Sequence, residues 1–276
     1  MMYVAIIPVR EGSQRVKNKN TKPFASSSLL EIKIRQMLRI KALGHIDEMI
    51  VNSDSKAMLE LATKLGATPI EREKYYASSE VPINEALHNF ASNAPGEYIL
   101  LCNATSPLIT DESIIACIQT FKKNFSTYDS LATTNLCKEF LYLNGKALNY
   151  DPTHKPRSQD LPDILVLNSA LYIISRTLML QKCDVVGDKP YFFTLSQLEG
   201  VDIDSELDFE IAEFLYKKYH IGGGAGDKCS LKTTQISQSA WESWRLTFGD
   251  CIAAHALDSI FAPISLDPAR FTREVA

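Results

Sequence analysis

The 276-residue chain lacks several features that would assign it to a class at once. No apolar run approaches the roughly 20 residues that span a bilayer, and the N-terminal residues have neither a basic region nor a small-residue cleavage site, so we expect a cytoplasmic protein without a membrane partner. The six cysteines form no CxxC pair and no two of the five histidines share a helical turn, which disfavours a disulfide framework and a zinc site. The GxxxxGK[ST] and GxGxxG nucleotide fingerprints are also absent.

An excess of positive charge is missing as well. The chain has 29 basic and 33 acidic residues, a net charge of −4, which argues against nucleic acid as the main partner. With 45% hydrophobic and 22% charged residues, the composition is that of an ordinary globular protein. The chain is therefore long enough and apolar enough to build a substantial core, and wholesale disorder is excluded.

Strand-like and helix-like stretches alternate along residues 1–220. Apolar runs at 3–8, 48–52 and 97–101 are typical of buried parallel strands, and segments such as 29–42 and 55–65 have helical spacing of apolar residues. This alternation predicts a doubly wound α/β domain. Ligands of such sheets bind beyond the carboxyl ends of the strands, which singles out four loops. They are residues 10–22, 52–55, 102–107 and 202–204.

Two segments interrupt the alternation. Residues 135–167 contain three prolines and many polar residues, which predicts an irregular arm. The GGGAG at 222–226 predicts a flexible linker, so that residues 221–276 form a linker and a C-terminal extension of unknown role. Within the extension, helices are expected around 239–248 and 250–261.

The loop after the first strand is the strongest candidate for a binding site. Five cations surround a Gly-Ser pair there: Arg10, Arg15, Lys17, Lys19 and Lys22 around Gly12 and Ser13. Glycine lets backbone N–H groups approach a phosphate, and the cations neutralise its charge, so the pattern favours polyphosphate binding. A solvated cationic turn is the alternative.

The sequence VDID at 201–204 is interpreted as a strand end that carries two carboxylates. In an extended segment, residues at i and i+2 point to the same side, so Asp202 and Asp204 can jointly hold Mg²⁺ against phosphate oxygens. The alternative is an acidic N-terminus for the helix predicted over 205–219, where Ser205 and Asp208 have capping-box spacing.

Three polar residues near strand ends are weaker candidates. Asn103, in LLCNATSPL, offers paired donor and acceptor groups for a sugar or a base, or simply favours a turn. Asn168 is either ligand-facing or a strand-end cap. Asp54, in VNSDS, is interpreted as the N-cap of the helix at 55–65.

Four of these motifs together, IIPVREGSQRVKNKN, LLCNATSPL, NSALYI and VDIDSELDFEIAE, resemble the acylneuraminate cytidylyltransferases, or CMP-sialic acid synthetases. The order and spacing match over residues 3–219. The resemblance implies a nucleotidyltransferase (Rossmann-like) α/β fold with a mostly parallel sheet, in a cytidylyltransferase domain over 1–220. It also implies a homodimer in which an arm of each subunit reaches the partner's sugar-acid site, and residues 135–167 are the natural candidate for that arm.

The resemblance also implies roles for nine residues. The phosphates, ribose and base of CTP would be contacted by Arg10, Ser13, Lys19, Asn20 and Arg72. The sugar acid would be contacted by Asn103 and Asn168, and Mg²⁺ would be bound by Asp202 and Asp204. The catalytic residues would be Arg10, Lys19 and Asp204. The chain departs from the family pattern at Gln14 (usually lysine), Asn103 (glutamine), Ile109 (arginine), Val166 (basic in some relatives) and Ser169 (glycine). The residues that would bind phosphate and metal thus match the family pattern better than the residues that would bind the sugar acid.

The resemblance implies transfer of CMP from CTP to the anomeric hydroxyl of a sialic-acid-like nonulosonic acid, with Mg²⁺ as cofactor and pyrophosphate as by-product. Three alternatives stay open. They are an octulosonic acid as the acceptor, a glycosyltransferase that uses Asp202-Ile203-Asp204 as a DxD metal motif, and a nucleotide-binding module without turnover. Pyrophosphate release from CTP separates a cytidylyltransferase from the glycosyltransferase. CTP binding without turnover would indicate the binding module, and a panel of sugar acids decides the acceptor.

Overall fold

A computed structural model describes residues 1–221. The strands of the central sheet are β1 (Tyr3–Pro8), β2 (Glu48–Ser53), β3 (Thr68–Glu71), β4 (Tyr98–Cys102), β5 (Ser130–Cys137), β6 (Ile164–Ser175) and β7 (Pro190–Thr194). The α-helices are α1 (Leu29–Ala42), α2 (Lys56–Leu65), α3 (Lys74–Ala77), α4 (Ile83–Asn93), α5 (Asp111–Asn124), α6 (Arg176–Lys182) and α7 (Glu206–Tyr216).

The strand order across the sheet is β7-β5-β6-β4-β1-β2-β3. Four neighbouring pairs are parallel, β1–β2, β1–β4, β2–β3 and β5–β7, whereas β6 runs antiparallel to both β4 and β5. The predicted doubly wound, mostly parallel α/β fold is therefore confirmed. The carboxyl ends of β1, β2, β3 and β4 lie along one edge, which brings the loops that follow them together.

Helices cover both faces of the sheet, and the period of two along a strand explains how. In β1, Ala5 and Ile7 belong to one buried cluster with residues of α1, α5 and α7, while Val4 and Ile6 belong to a second cluster with residues of α4 and α6. Because both faces are buried, the strand reads as a continuous apolar run.

Helix caps follow the sequence signals. Ser55 is the N-cap of α2, and Gly66 ends that helix in the left-handed region at φ +91°. Ser205 and Asp208 form the predicted capping box of α7. The cap prediction for Asp54 is wrong, because Asp54 precedes the cap and its carboxylate accepts a hydrogen bond from the Glu11 backbone N–H at 3.0 Å.

The predicted irregular arm is more regular at its ends than expected. Residues up to 137 continue β5, and β6 begins at Ile164, so that Leu165 pairs with Leu136 and Val166 with Asn135. The prolines that suggested irregularity lie at 152, 156 and 162, outside this ladder, and the apolar run ILVL is free to pair. Between the strands lie a small hairpin (142–147) and two short 3₁₀ turns, as an arm requires.

Residues 201–204 are not a strand, which corrects the interpretation of VDID as a strand end. The segment adds no ladder to the sheet; the Ile203 N–H instead donates to the Thr105 carbonyl at 3.0 Å, and the Ile203 side chain is buried. α7 ends at Tyr216, and a π turn (Lys217–Ile221) follows it.

No helix within residues 1–221 combines the length and apolar character needed to cross a membrane. The predicted linker and C-terminal extension, with the helices expected around 239–248 and 250–261, lie outside the described residues. The domain boundary near residue 220 stays a prediction.

Candidate active site

A cleft of about 480 Å³ opens at the carboxyl edge of the sheet. Its first wall is the loop after β1, residues 10–22, called here the basic loop. Its base is formed by the start of the loop after β4, residues 103–110, called here the floor loop, together with Ser169 and Tyr172 of β6. Six of the nine sequence-predicted site residues line the cleft: Arg10, Ser13, Lys19, Asn20, Arg72 and Asn103.

The basic loop is anchored by two buried residues, Val16 and Asn20. Val16 is fully buried, and the Asn20 carbonyl accepts a hydrogen bond from the Leu30 N–H at 3.1 Å. Gly12 has φ +75°, a backbone conformation that favours glycine and lets the chain turn beside the cleft. The left-handed backbone conformation at this turn therefore explains why residue 12 is a glycine.

The five cations of the basic loop have different surroundings. Arg10 donates to the Ala77 carbonyl at 2.9 Å, Arg15 lies 2.7 Å from Asp204, and Lys19 donates to the Ile203 carbonyl at 2.5 Å. Lys22 instead binds Glu206 of α7 at 2.5 Å, and Lys17 is exposed. Neither of these two lysines is among the described residues that line the cleft. Three cations of the loop are thus placed to meet an anion in the cleft.

Arg72 adds a fourth cation from the end of β3. It is only 6% exposed, its Nη2 donates to the Val9 carbonyl, and its guanidinium lies 5.3 Å from the centre of the Phe90 ring. Its Nε–H is buried without a hydrogen-bond partner among residues 1–221. Burial lowers the pKa of Arg72 to about 10, so the group stays charged at neutral pH. Among residues 1–221 the guanidinium is thus incompletely paired, at a position where Arg72 lines the cleft.

The two carboxylates of 202–204 lie beside the cleft, in contact with its cations. Asp204 is half-exposed and lies 4.0 Å from the Lys19 amine. Burial raises the pKa of Asp202, and repulsion from Asp204 adds to the rise, while a Thr105 hydrogen bond and Lys19 oppose it. Burial also lowers the pKa of Lys19, although both aspartates oppose this shift. Two repelling carboxylates are a donor set that a cation would stabilise.

On the opposite side, amide groups are already used within the protein. Asn103 lines the cleft, but its Nδ2 donates to the Ser169 carbonyl at 2.8 Å. Asn168 is 6% exposed; its Oδ1 accepts from Thr133 at 2.7 Å and its Nδ2 donates to Asn135 at 2.8 Å. Among the described residues, Asn168 is not part of the cleft lining. Asn168 lies within β6 rather than at its start, so the interpretation as a strand-end cap is wrong, and a ligand contact for Asn168 stays a prediction.

An apolar wall of the cleft was not anticipated from the sequence. It is formed by side chains from 76–90 and by a residue after α6: Tyr76, Val81, Ile83, Leu87, Phe90 and Val185. The sequence contains a signal for this wall, because the apolar stripe of α4 begins at Ile83. In the structure, Ile83 is 66% exposed and lies outside the core. Flat apolar side chains beside Arg72 provide a surface for a planar, polar-edged group.

Comparisons with known proteins agree with this geometry. The sequence profile of the family described as Cytidylyltransferase matches residues 4–218. A protein named pseudaminic acid cytidylyltransferase, from Campylobacter jejuni, is 30% identical over 231 residues, which is 80% of this chain and 98% of that protein. A protein named CMP-N,N'-diacetyllegionaminic acid synthase, from the same species, is 25% identical over 76% of this chain and 92% of its own length.

A solved structure described as CMP:2-keto-3-deoxy-manno-octonic acid synthetase complexed with CTP superposes with a TM-score of 0.58. It covers 79% of this chain and 99% of its own, and at 14% identity it shows the likeness of the fold alone. The resemblance inferred from four motifs is thus confirmed at the level of the family. With its profile match over most of the chain, its nucleotidyltransferase fold and a cleft lined by cations, the chain belongs to the cytidylyltransferase family.

Proposed function

We propose that the chain transfers CMP from CTP to the anomeric hydroxyl of a nonulosonic acid and releases pyrophosphate. One observation carries the proposal: Arg10, Arg15, Lys19 and Arg72 converge on a single cleft whose edge holds two carboxylates. Such a separation of charge suits a triphosphate bound through a metal ion. The names of the two relatives, which specify pseudaminic and legionaminic acids, support the class of acceptor.

The nucleotide would be bound by charge and by the apolar wall. Arg10, Arg15 and Lys19 would neutralise the phosphates, and the backbone at Gly12 and Ser13 would approach them, with Asn20 near the ribose. Arg72, which lines the cleft, would place its guanidinium beside the cytosine, and the cytosine would lie against the apolar wall. Because a guanidinium has only donors, it favours a base edge that carries acceptors.

The reaction needs positioning and charge stabilisation rather than a covalent intermediate. The anomeric oxygen forms a bond to the α-phosphorus, the bond from that phosphorus to the bridging oxygen breaks, and pyrophosphate leaves with that oxygen while the hydroxyl proton is released. Negative charge grows on the phosphate oxygens, where Arg10 and Lys19 would stabilise it. The residues proposed as catalytic are therefore Arg10 and Lys19, which would face the growing negative charge, and Asp204, which lies beside Lys19.

Mg²⁺ is part of the proposal. Within residues 1–221 no cluster of three or more His, Cys, Asp or Glu side chains could hold a metal, so Asp202 and Asp204 would share the ion with phosphate oxygens, as is usual for Mg²⁺. When bound, Mg²⁺ neutralises phosphate charge. The chain fits this role because the two carboxylates already repel each other and because Arg15, now paired with Asp204, would be freed for the phosphates.

We also propose that the protein works as a homodimer through the arm. Leu165, Val166 and Leu167 are 42%, 49% and 45% exposed, and Tyr142 and Leu143 at the tip of the arm are exposed too. An apolar surface on a projecting segment suits burial against a second copy of this chain. Light scattering should report a dimer, and Val166→Asp should shift it toward monomer; a monomeric wild type would contradict the proposal.

The test of the reaction is a substrate panel. The purified chain is mixed with CTP, Mg²⁺ and, in turn, pseudaminate, legionaminate, N-acetylneuraminate or an octulosonic acid, and pyrophosphate and the CMP-sugar are measured. Turnover is expected with a nonulosonic acid and should be lost when Mg²⁺ is chelated. Asp204→Ala should abolish turnover, whereas Asp47→Ala, on the opposite edge of the sheet, should not. Turnover of the octulosonic acid alone, or CTP binding without turnover, would overturn the proposal.

A further inference from the structure

A lysine is buried beneath the floor loop. Lys33, in the middle of α1, is 1% exposed. Its amine lies 3.0 Å from the Ser106 carbonyl and 2.8 Å from Oε1 of Gln36. Lysine is almost never fully buried unless it is paired, because removing an ammonium group from water is costly. The two hydrogen bonds of this amine compensate in part for its loss of water.

Lys33 is the first of three polar side chains that α1 directs at the floor loop. Gln36 donates to the Ile109 carbonyl at 2.7 Å and to Asp111 at 3.0 Å. Arg39 binds both carboxylate oxygens of Asp111, at 2.7 and 2.9 Å. The helix thus holds the floor loop at Ser106, at Ile109 and at the start of α5. Its side chains replace the backbone hydrogen bonds that a loop cannot form with the sheet.

The other side of the floor loop faces the cleft and the carboxylates. Asn103 and Thr105 line the cleft. The Thr105 carbonyl accepts from the Ile203 N–H at 3.0 Å, and a Thr105 hydrogen bond acts on the Asp202 carboxylate. A displacement of the loop at Ser106 would therefore reach Asn103 on one side and Asp202 on the other.

We propose that Lys33 is a positioning residue: without touching substrate, its amine fixes the floor loop and so places Asn103 and Asp202 relative to the basic loop. The kinetic part rests on the proposed function, because it needs turnover. The role is specific to the amine. Methionine would fill the same space but would leave the Ser106 carbonyl without its donor, and the Ser106 hydroxyl is already buried without a partner among residues 1–221.

Charge on this amine changes in an accessible pH range. Burial lowers the pKa of Lys33 to about 8. The groups that face it are Cys102 of β4, Asp111 of α5 and Arg39 of α1. Burial raises the pKa of the Cys102 thiol to about 12, so that thiol stays neutral between pH 7 and 10. Above about pH 8, Lys33 loses its charge, and its hydrogen bonds to Ser106 and Gln36 weaken because they are no longer charge-assisted.

The kinetic test compares Lys33→Met with Lys64→Met, a change at an exposed lysine of α2. At pH 7, Lys33→Met should lower kcat/KM for the sugar acid by about tenfold or more, as expected for a small misplacement of reacting groups. The Kd for CTP, measured without the acid, should stay within about twofold of wild type, because the basic loop and Arg72 are untouched. The difference in kcat/KM between Lys33→Met and wild type should be smaller at pH 9.5 than at pH 7, because Lys33 has then lost its charge. Equal kinetics at pH 7, or a loss that is the same at both pH values, would overturn the proposal.

A second measurement does not need turnover. Hydrogen exchange of peptides from 103–110 should be faster in Lys33→Met than in wild type, with the basic loop unchanged. If wild type turns over no acid, the proposed function fails while this measurement still decides whether Lys33 holds the loop. Should Lys33→Met not fold, Lys33→Gln replaces it, and the exchange of its floor loop should lie closer to wild type at pH 9.5 than at pH 7. Unchanged exchange in either variant overturns the proposal.

Discussion

The two halves of the cleft differ in what they leave free for a ligand. In the half proposed for the nucleotide (the nucleotide half), formed by the basic loop and Arg72, the guanidinium groups of Arg10 and Arg72 each donate one hydrogen bond to a backbone carbonyl, out of five N–H donors. In the half proposed for the sugar acid (the sugar half), formed by the floor loop and residues 166–169, Asn103 and Asn168 each donate one of their two amide hydrogens, to the Ser169 carbonyl and to Asn135. The first half thus has more unused donors than the second.

This difference has a physical consequence for how the site is completed. A triphosphate bound as proposed would meet preformed cations and would need little reorganisation of the protein, which favours electrostatic catalysis. A sugar acid would have to replace internal hydrogen bonds or find donors elsewhere. The exposed apolar residues 165–167 overlap the sugar half, so an arm of a second copy that packs on them would be a suitable source of those donors. Substitutions in the two halves should therefore have different signatures.

The largest difference should come from charge. Arg10→Ala removes a cation from the nucleotide half and should lower kcat/KM for pyrophosphate release by about a thousandfold, the usual loss when a group that stabilises transition-state charge is deleted. Asn103→Ala, in the sugar half, removes a neutral donor that is already bonded to Ser169 and should cost about tenfold. Steady-state kinetics with CTP and the best acid measure both.

A matched control for Arg10 is Arg35→Ala, an exposed arginine of α1 that pairs with Glu31. It should keep kcat/KM within about twofold, because surface ion pairs contribute little. Equal losses for Arg10→Ala and Asn103→Ala would remove the distinction between the halves.

In the sugar half, Asn168 should matter more for stability than for binding. Asn168→Ala removes hydrogen bonds to the Thr133 hydroxyl, the Ala170 N–H and the Asn135 side-chain oxygen, so the free energy of unfolding should fall by about 2–3 kcal/mol. Urea denaturation measures this, with the exposed Asn93→Ala as control. A large rise in the KM for the acid with unchanged stability would instead place Asn168 at the ligand.

The support beneath the floor loop should show itself in the pH dependence of stability. The pKa of Lys33 is lowered in the folded state from 10.5 to about 8, so between these values the unfolded chain binds more protons and stability rises with pH. Between pH 7 and 10, wild type should therefore gain about 2 kcal/mol in the free energy of unfolding relative to Lys33→Met. Urea titrations at several pH values measure this. A constant difference between the two proteins would mean that Lys33 does not titrate in this range.

The nucleotide half could be predicted from sequence because its signals are local. The run YVAIIP defines β1 from Tyr3 to Pro8, and the cations and the Gly-Ser pair follow it directly along the chain. The capping box of Ser205 and Asp208 is equally local and was predicted, whereas the N-cap of α2 is Ser55 and not the predicted Asp54. Where charge, turn and strand end adjoin in sequence, the structure brings them together as expected.

The sugar half could not be predicted because it depends on pairings that are distant in sequence. The ladder between Asn135 and Val166 joins residues whose own sequence shows no regular pattern, and VDID takes its place from the Thr105 carbonyl rather than from a strand partner. Lys33 was overlooked although a signal existed. It occupies a position of the buried stripe that Leu30 and Ile34 define, where a lysine needs a partner.

The smallest effect concerns Ser169, where the family pattern has glycine. Its φ is +61°, in the left-handed region that a serine adopts at a cost, and it lies at the irregularity in the pairing of β6 with β5. Ser169→Gly should relieve this strain and raise the free energy of unfolding by about 0.5–1 kcal/mol, less than the full strain because glycine loses more entropy on folding. The Ser169 carbonyl, which holds Asn103, is kept by the substitution.

Ser169→Ala separates strain from the side chain. Alanine keeps the strain and loses the weak contact between the Ser169 hydroxyl and the Tyr172 hydroxyl at 3.3 Å, so it should be no more stable than wild type. Thermal and urea unfolding of the three proteins should therefore rank glycine above serine and serine at or above alanine. A glycine variant that is less stable than wild type would show that the contacts of the serine side chain contribute more to stability than its left-handed backbone conformation costs.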